Sequence, residues 1–463
     1  MRQAALVEIE PPAPEEPLDL PVLDPGIYRA RFARFMDRVD RAGLEIAAVF
    51  ADREHSANLA WLTGFDPRFE EALLIARPGA DPILLTGPEN QGPAGDSPVG
   101  LDVRLYPPMG LMGQAREATP PLGALLAEAG IQDGMTVGVA GWKYYTAVES
   151  PDPEAWLEIP SYLADALRRA VGASGRVVNG GPILMDAGTG LRAVHEIDQL
   201  AVMEASACHT SAAVGRVIRA ARPGLREVEI ARALEPLGLP LCCHPMLSSG
   251  PRAWHGLLSP TARTVERGDA ITTAYGVQGA LNCRAGWLAE GPEDLPAGAR
   301  DYVDRLVAPY FGAVAEWYET VGLDVTGGDL DAVIRRRLGD PFFGIGLNPG
   351  HLIGLDEWMN SPVRPGDTTP LASGMALQVD IIPATGGPYF TTNIEDGIAL
   401  LDADGRAAFA ERHPAAWARI EARRAFMGDV LGIRLKPEVL PFSDLAGWLP
   451  PFWLAPGRAM ALR

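Results

Sequence analysis

The chain has 463 residues, beyond the size at which one hydrophobic core keeps growing, so two domains are expected. Its 47% apolar composition is that of an ordinary globular protein, and no run of about eighteen apolar residues exists that could span a bilayer. With 40 basic against 59 acidic residues, the net charge of −19 opposes phosphate backbones and anionic lipid, which argues against nucleic acid and membrane surfaces as partners.

Taken in chain order, residues 1–25 are Pro-rich and acidic without periodicity, and an extended arm is expected there. They lack the apolar core of a secretory signal and the Arg-rich character of a transit peptide, so a cytoplasmic location is expected. From Tyr28 to Leu44 apolar residues recur at helical spacing. Short β-type runs follow at 46–50, 72–76 and 82–85, each bounded by turn residues, and the alternation predicts a small α/β domain over 26–180. Gly-rich sequence over 172–190 predicts the crossing between domains.

A second domain is expected over 185–425. Ile197, Leu200, Met203, Ala207 and Val214 lie on one face of a long helix, which Arg222-Pro223-Gly224 ends because proline supplies no amide. A shorter helix from Leu225 and a longer one over 299–321 carry similar faces. The strands here alternate, which predicts an antiparallel sheet covered by helices. Four cysteines (Cys208, Cys242, Cys243, Cys283) offer neither a zinc spacing nor a disulfide framework and read as reduced thiols. The apolar, Pro-rich extension over 426–463 is expected to pack on its own subunit or on a twofold partner.

The chemistry concentrates late in the chain. In the alternating run 375–382, Gln378 and Asp380 share a face, and a second run from Asn393 to Leu401 carries Glu395. Gly386-Gly387-Pro388 lies between them as a turn, and a hairpin centred after Gly387 pairs 380 with 395. Like charges opposed on a sheet repel, so a cation, a shared proton or a cationic substrate group is required, or else one carboxylate is solvated at a strand end. Upstream, His351 stands among Gly344, Gly346, Gly350 and Gly354, where backbone can approach a site closely, and Asp356-Glu357 follow it.

The order Gly350-His351, then Gly374-Met375 leading to Asp380-Ile381-Ile382-Pro383, then Asn393-Ile394-Glu395-Asp396, resembles the last three metal-ligand motifs of the creatinase/aminopeptidase P family. Asn58-Leu59-Ala60-Trp61-Leu62-Thr63-Gly64-Phe65 is similar to that family's amino-terminal domain, and Leu191-Arg192, Glu196-Ile197 and Arg222-Pro223-Gly224 to the start of its catalytic domain. The resemblance covers about residues 26–425. It implies an α/β (α+β) fold, with a small creatinase-type domain followed by a pita-bread catalytic domain, and a homodimer.

In metallopeptidases of this family two aspartates of one hairpin, a histidine and two glutamates hold two metals. His351 matches the histidine, Asp380 stands where the first glutamate is usual, and Glu395 matches the second. Between Asp269 and Glu290 no Asp or Glu occurs, so the hairpin ligands are missing. Losing two hard anionic ligands removes the clamp for a metal-bridged hydroxide. Metal-independent chemistry is therefore expected, with a single Mn, Zn or Fe on His351, Asp380 and Glu395 as the alternative.

Creatinase sets the family precedent for metal-free acid/base catalysis, and Ser248-Ser249-Gly250-Pro251-Arg252-Ala253-Trp254-His255 resembles the segment that supplies its histidine. This makes His255 the candidate proton shuttle, with His351, Asp380 and Glu395 orienting substrate or water. Arg284, Asn282 and Arg68 are candidate substrate-binding residues, and Arg284 is alternatively an internal counter-ion. Asn282 or Cys283 could add a weak metal ligand, and His244 reads as structural. The expected function is hydrolysis or elimination at a C–N bond of a small amino-acid-like or guanidino compound. An aminopeptidase P-like peptidase with one metal and a non-catalytic peptide- or protein-binding protein are the alternatives.

Overall fold

The computed structural model describes residues 2–234 and 238–463. The chain forms two compact units, Leu23–Ala193 and Val194–Arg463, and the residues up to Val22 belong to the second.

The first unit opens with the helix Pro25–Arg41, started by the Asp24 side chain, which accepts from the Gly26 amide at 2.6 Å, and by Pro25, whose fixed φ suits the first turn. Its sheet runs, from edge to edge, Asp102–Leu105, Ile83–Thr86, Ala72–Ala76, Ile46–Ala51, Thr136–Ala140 and Arg176–Asn179. Ile46–Ala51 pairs antiparallel to Ala72–Ala76 and parallel to Thr136–Ala140, so the sheet is mixed. The Gly-rich stretch is thus not a plain crossing. Arg176–Asn179 lies inside it and closes the sheet, and the unit continues to Ala193.

The second unit is built on an antiparallel sheet ordered His351–Leu352, Ala376–Asp380, Asn393–Leu400, Ala280–Trp287, Ala270–Val277 and Met246–Ser249, with Val439–Pro441 pairing to Asn393–Leu400. The long helix Ile197–Ala220 packs against the hairpin strands Ala270–Val277 and Ala280–Trp287. Its residues Val214, Val217 and Ile218 share one buried cluster with Ile271, Tyr275, Trp448 and Trp453. A second helix, Ala308–Thr320, buries Tyr310, Phe311, Trp317 and Tyr318 and is preceded by a wider turn over Val303–Val307.

The N-terminal arm, expected to be extended and unpacked, is extended but packed on the second unit. Ala4–Glu8 is a strand paired antiparallel to Arg458–Leu462. Beyond it the proline-rich residues cannot form a ladder, since proline has no amide to donate. Their carbonyls still accept: Pro12 from Arg219 at 2.6 Å and Pro17 from the His209 ring at 2.8 Å. Residues 426–463 pack on this same unit, with Trp448, Leu449, Phe452 and Trp453 fully buried.

Candidate functional site

The strands Ala376–Asp380 and Asn393–Leu400 pair with Asp380 directly opposite Glu395, the register that the intervening turn predicts. His351 joins from the neighbouring strand, opposite Gln378. Gly350 is needed before it. Its φ of +137° is foreign to residues with a side chain, and a Cβ there would stand 2.9 Å from the Gln378 carbonyl and 3.1 Å from Trp317.

His351, Asp380 and Glu395 therefore converge, each offering a ligand atom within 4.8 Å of the others. The Nδ1 of His351 lies 3.2 Å from the Leu352 carbonyl, which assigns the Nδ1 proton to that bond and turns Nε2 toward the carboxylates. Nε2 is 3.9 Å from Glu395 Oε1 and 3.2 Å from Glu357 Oε1, the latter an ion-pair contact without hydrogen-bond alignment. Nε2 and Asp380 Oδ1 are both buried, and among the described residues neither has a hydrogen-bond partner.

The electrostatics reflect burial of a surplus of negative charge. Burial, offset in part by His351, pushes Asp380 up to about 6. Burial and the Asp380 carboxylate hold Glu395 well above the usual carboxylate range. For His351 burial works against the charge, but Glu357 and Glu395 outweigh it and push the imidazole up to about 10. The shifts share one cause, the burial of several acidic groups around one imidazole, which a retained proton or a bound cation would each relieve.

Asp380 and Glu395 line one cavity of 370 Å³ together with His255 and Glu357, and His351 lies fully buried behind Trp358 and Glu357. Its other walls are largely apolar, among them Met246, Trp254, Leu347, Trp358, Ile382 and Phe390. The hairpin that lacks carboxylates presents Thr272, Ala274, Leu281 and Cys283 to the same space, with Cys283 opposite Glu395 in register. Burial and the neighbouring carboxylates keep the Cys283 thiol well above its ordinary value, so it is a neutral wall group here.

Of the remaining candidates, His255 lines the cavity, and its exposed ring makes no hydrogen bond among the described residues. Arg284 and Asn282 do not line it, which corrects the expectation that they bind substrate. Strand alternation is the reason: Cys283 faces the cavity, so 282 and 284 face the opposite side of the sheet. There Arg284 donates to both oxygens of Asp396 at 2.8 and 2.9 Å, and Asn282 donates to Asp396 at 2.8 Å. Arg284 is an internal counter-ion, though of Asp396 and not of Asp380 or Glu395.

Arg68 belongs to the other unit, where its Nε donates to Asp66 at 2.9 Å. The exposed His244 sits 2.9 Å from the Leu257 carbonyl through Nε2 and does not line the cavity. Two residues that the sequence left without a role stand in the site. Glu357 is one, and Trp358 stacks on His351 at 4.2 Å and 17° between planes. Their proximity to His351 in sequence was the available signal.

The donor set passes a chemical test for a divalent ion. One imidazole nitrogen and two carboxylates, with an orphaned buried oxygen and nitrogen aimed into a common space, suit a mononuclear centre.

Comparison with known proteins agrees with this architecture. No protein-family model matches the chain. A peptidase of Bacillus subtilis named YqhT, described as uncharacterized, is 24% identical over 229 residues, covering 47% of this chain and 62% of its own length. The chain thus spans less than two thirds of that relative. The fold of the prolidase from Thermococcus sibiricus superposes with a TM-score of 0.63 at 17% identity, covering 82% of this chain and 95% of that one. A Xaa-Pro dipeptidase from Bacillus anthracis gives 0.61 at 17% identity (82% and 96%), and an X-Pro aminopeptidase from Thermotoga maritima 0.61 at 17% (80% and 95%). The chain has the fold of these proteins, the pita-bread fold that its sequence motifs imply.

Proposed function

We propose that this protein is a hydrolase of peptide or amide C–N bonds that works with one divalent ion held by His351, Asp380 and Glu395. The observation that carries this is the pair of orphaned buried atoms, His351 Nε2 and Asp380 Oδ1, beside Glu395. An unsatisfied buried polar group costs about 1–3 kcal/mol; a metal-independent site leaves that cost unrelieved at Asp380 Oδ1 until substrate arrives and gives His351 Nε2 only its ion-pair contact with Glu357. This favours the mononuclear alternative over the metal-independent creatinase-like chemistry suggested by the empty hairpin.

When bound, such an ion polarises a carbonyl and lowers the pKa of a bound water. The chain's own residues supply the rest. Apolar walls, including Trp254, Trp358 and Phe390, exclude water and take the hydrocarbon part of a substrate. His255, facing the cavity with no competing hydrogen bond, is placed to give or take a proton at the scissile nitrogen. The names of the structural neighbours point to short peptides with proline after the cleaved bond as the first substrates to try.

The test is hydrolysis of a panel of Xaa-Pro dipeptides, with N-substituted and guanidino amino acids as the contrasting set. Turnover of dipeptides that chelation abolishes, one equivalent of Mn, Zn or Fe restores and Asp380→Asn removes is the expected result. Turnover confined to guanidino compounds, insensitive to chelation and abolished by His255→Ala, would reinstate the creatinase-like reading.

A further inference from the structure

We propose that Glu357 supplies the third carboxylate of the metal centre, so that the segment following His351 takes over the part that the hairpin strands cannot play. The inference rests on the mononuclear reading above and adds a ligand to it.

The segment is built to deliver that side chain. The Leu352 amide donates to the Asn360 carbonyl at 2.8 Å and the Met359 amide to the Leu352 carbonyl at 3.1 Å, so the chain folds back on itself immediately after His351. Within this return the Gly354 amide donates to the Asp356 carbonyl at 3.1 Å, tightening the turn. The result places Glu357 Oε1 3.2 Å from His351 Nε2 and lays Trp358 over the ring. Glu357 lines the same cavity as Asp380 and Glu395, and its side chain is only 26% exposed.

Two further observations point to a cation at this place. Asp380 is 5% exposed, lines the cavity, and carries an oxygen with no partner among the described residues. Three carboxylates then surround a single imidazole, and the buried guanidinium of Arg284 is committed to Asp396 on the other face of the sheet. The oxygen-rich donor set that results, three carboxylates and one imidazole, suits Mn, Fe or Zn more than a soft, thiolate-seeking ion.

The competing role for Glu357 is a plain ion-pair partner of His351, and the experiment separates the two. Metal-free wild type, Glu357→Gln, Glu357→Cys and Asp380→Asn are titrated with Mn(II) and with Co(II), following affinity by calorimetry and the cobalt spectrum by absorption. Melting temperatures of the metal-free proteins establish that each is folded. The wild type is expected to bind one equivalent and Glu357→Gln to bind at least about 100-fold more weakly, beyond the ~10–100-fold that an outer hydrogen-bonding partner contributes. Glu357→Cys is expected to show a sulfur-to-cobalt charge-transfer band in the near ultraviolet that the wild type lacks. Unchanged affinity in Glu357→Gln with no new band in Glu357→Cys would overturn the role of Glu357 and leave the three-residue centre standing. A wild type that binds neither ion would overturn the centre itself, so the two failures are distinct.

Discussion

Replacing Arg284 by leucine tests the face assignment of the central sheet, because a substrate-binding arginine and an internal counter-ion fail in different ways. In the structure Arg284 is fully buried and donates to Asp396 at 2.8 and 2.9 Å, and to the carbonyls of Trp448, Leu445 and Cys283 at 2.8, 2.6 and 2.7 Å. Removing one member of a buried ion pair costs about 3–5 kcal/mol, since the other charge stays behind. Asp396 keeps donors from Asn282 at 2.8 Å and the Gly447 amide at 3.0 Å, with the Tyr318 hydroxyl 3.5 Å away, which argues for the lower end, about 3 kcal/mol. At roughly 2 °C per kcal/mol for a unit of this size, the melting temperature should fall by about 6 °C. Thermal unfolding followed by circular dichroism reads this directly, and metal affinity below the transition should stay at the wild-type value. A variant with wild-type stability but impaired substrate binding would refute the argument and return Arg284 to the cavity.

Glu227 is expected to govern the loop that carries His255. It accepts from the Ser249 amide and hydroxyl at 2.9 and 2.7 Å, from the Thr261 amide and hydroxyl at 2.9 and 2.7 Å, and from Arg252. Burial works against its charge, but the bonds from Ser249, Thr261 and Arg252 outweigh it and hold its carboxyl below the usual range. A depressed carboxyl contributes stability above its unfolded pKa of about 4.3 and loses it as pH falls through the folded value, so Glu227→Gln should cost about 2 kcal/mol in urea unfolding near neutrality and much less below about pH 4. An equal loss at both pH values would contradict the sign. Trp358→Ala removes the ring stacked on His351 and an apolar wall, and should raise KM for substrates with a bulky apolar side chain about tenfold while leaving metal stoichiometry unchanged. Cys208 is fully buried, and burial pushes its thiol up despite Arg423 nearby; it should stay unreactive toward a thiol reagent until unfolding, while the half-buried Cys243 reacts first.

Much of the site was legible because it depends on local rules. A turn at Gly386-Gly387-Pro388 sets the register of its two strands, and register alone brings Asp380 opposite Glu395. A histidine preceded by a glycine that backbone approach requires is likewise a local feature. What escaped depends on partners far away in sequence. Asn282 and Arg284 sit one position to either side of a residue that faces the cavity, and only the pairing of Cys283 with Glu395 decides which parity looks inward. Glu357 follows His351 closely, yet its role needs the backbone return that Leu352 and Asn360 close. The proline-rich start lacks periodicity but lies along the unit through carbonyls and a strand pairing with Arg458–Leu462, a partner that composition cannot show.

The central claim is that His351, Asp380 and Glu395 hold one divalent ion, and bound metal measured by elemental analysis tests it most directly. The tag-free protein is stripped with chelator, reloaded separately with Mn, Co, Zn and Fe, and freed of excess before measurement. Close to one equivalent per chain, lost in Glu395→Ala and in Asp380→Asn while both variants remain folded, is the result expected. Absence of bound metal under every loading condition would contradict the claim and return the site to metal-independent acid/base chemistry or to binding alone.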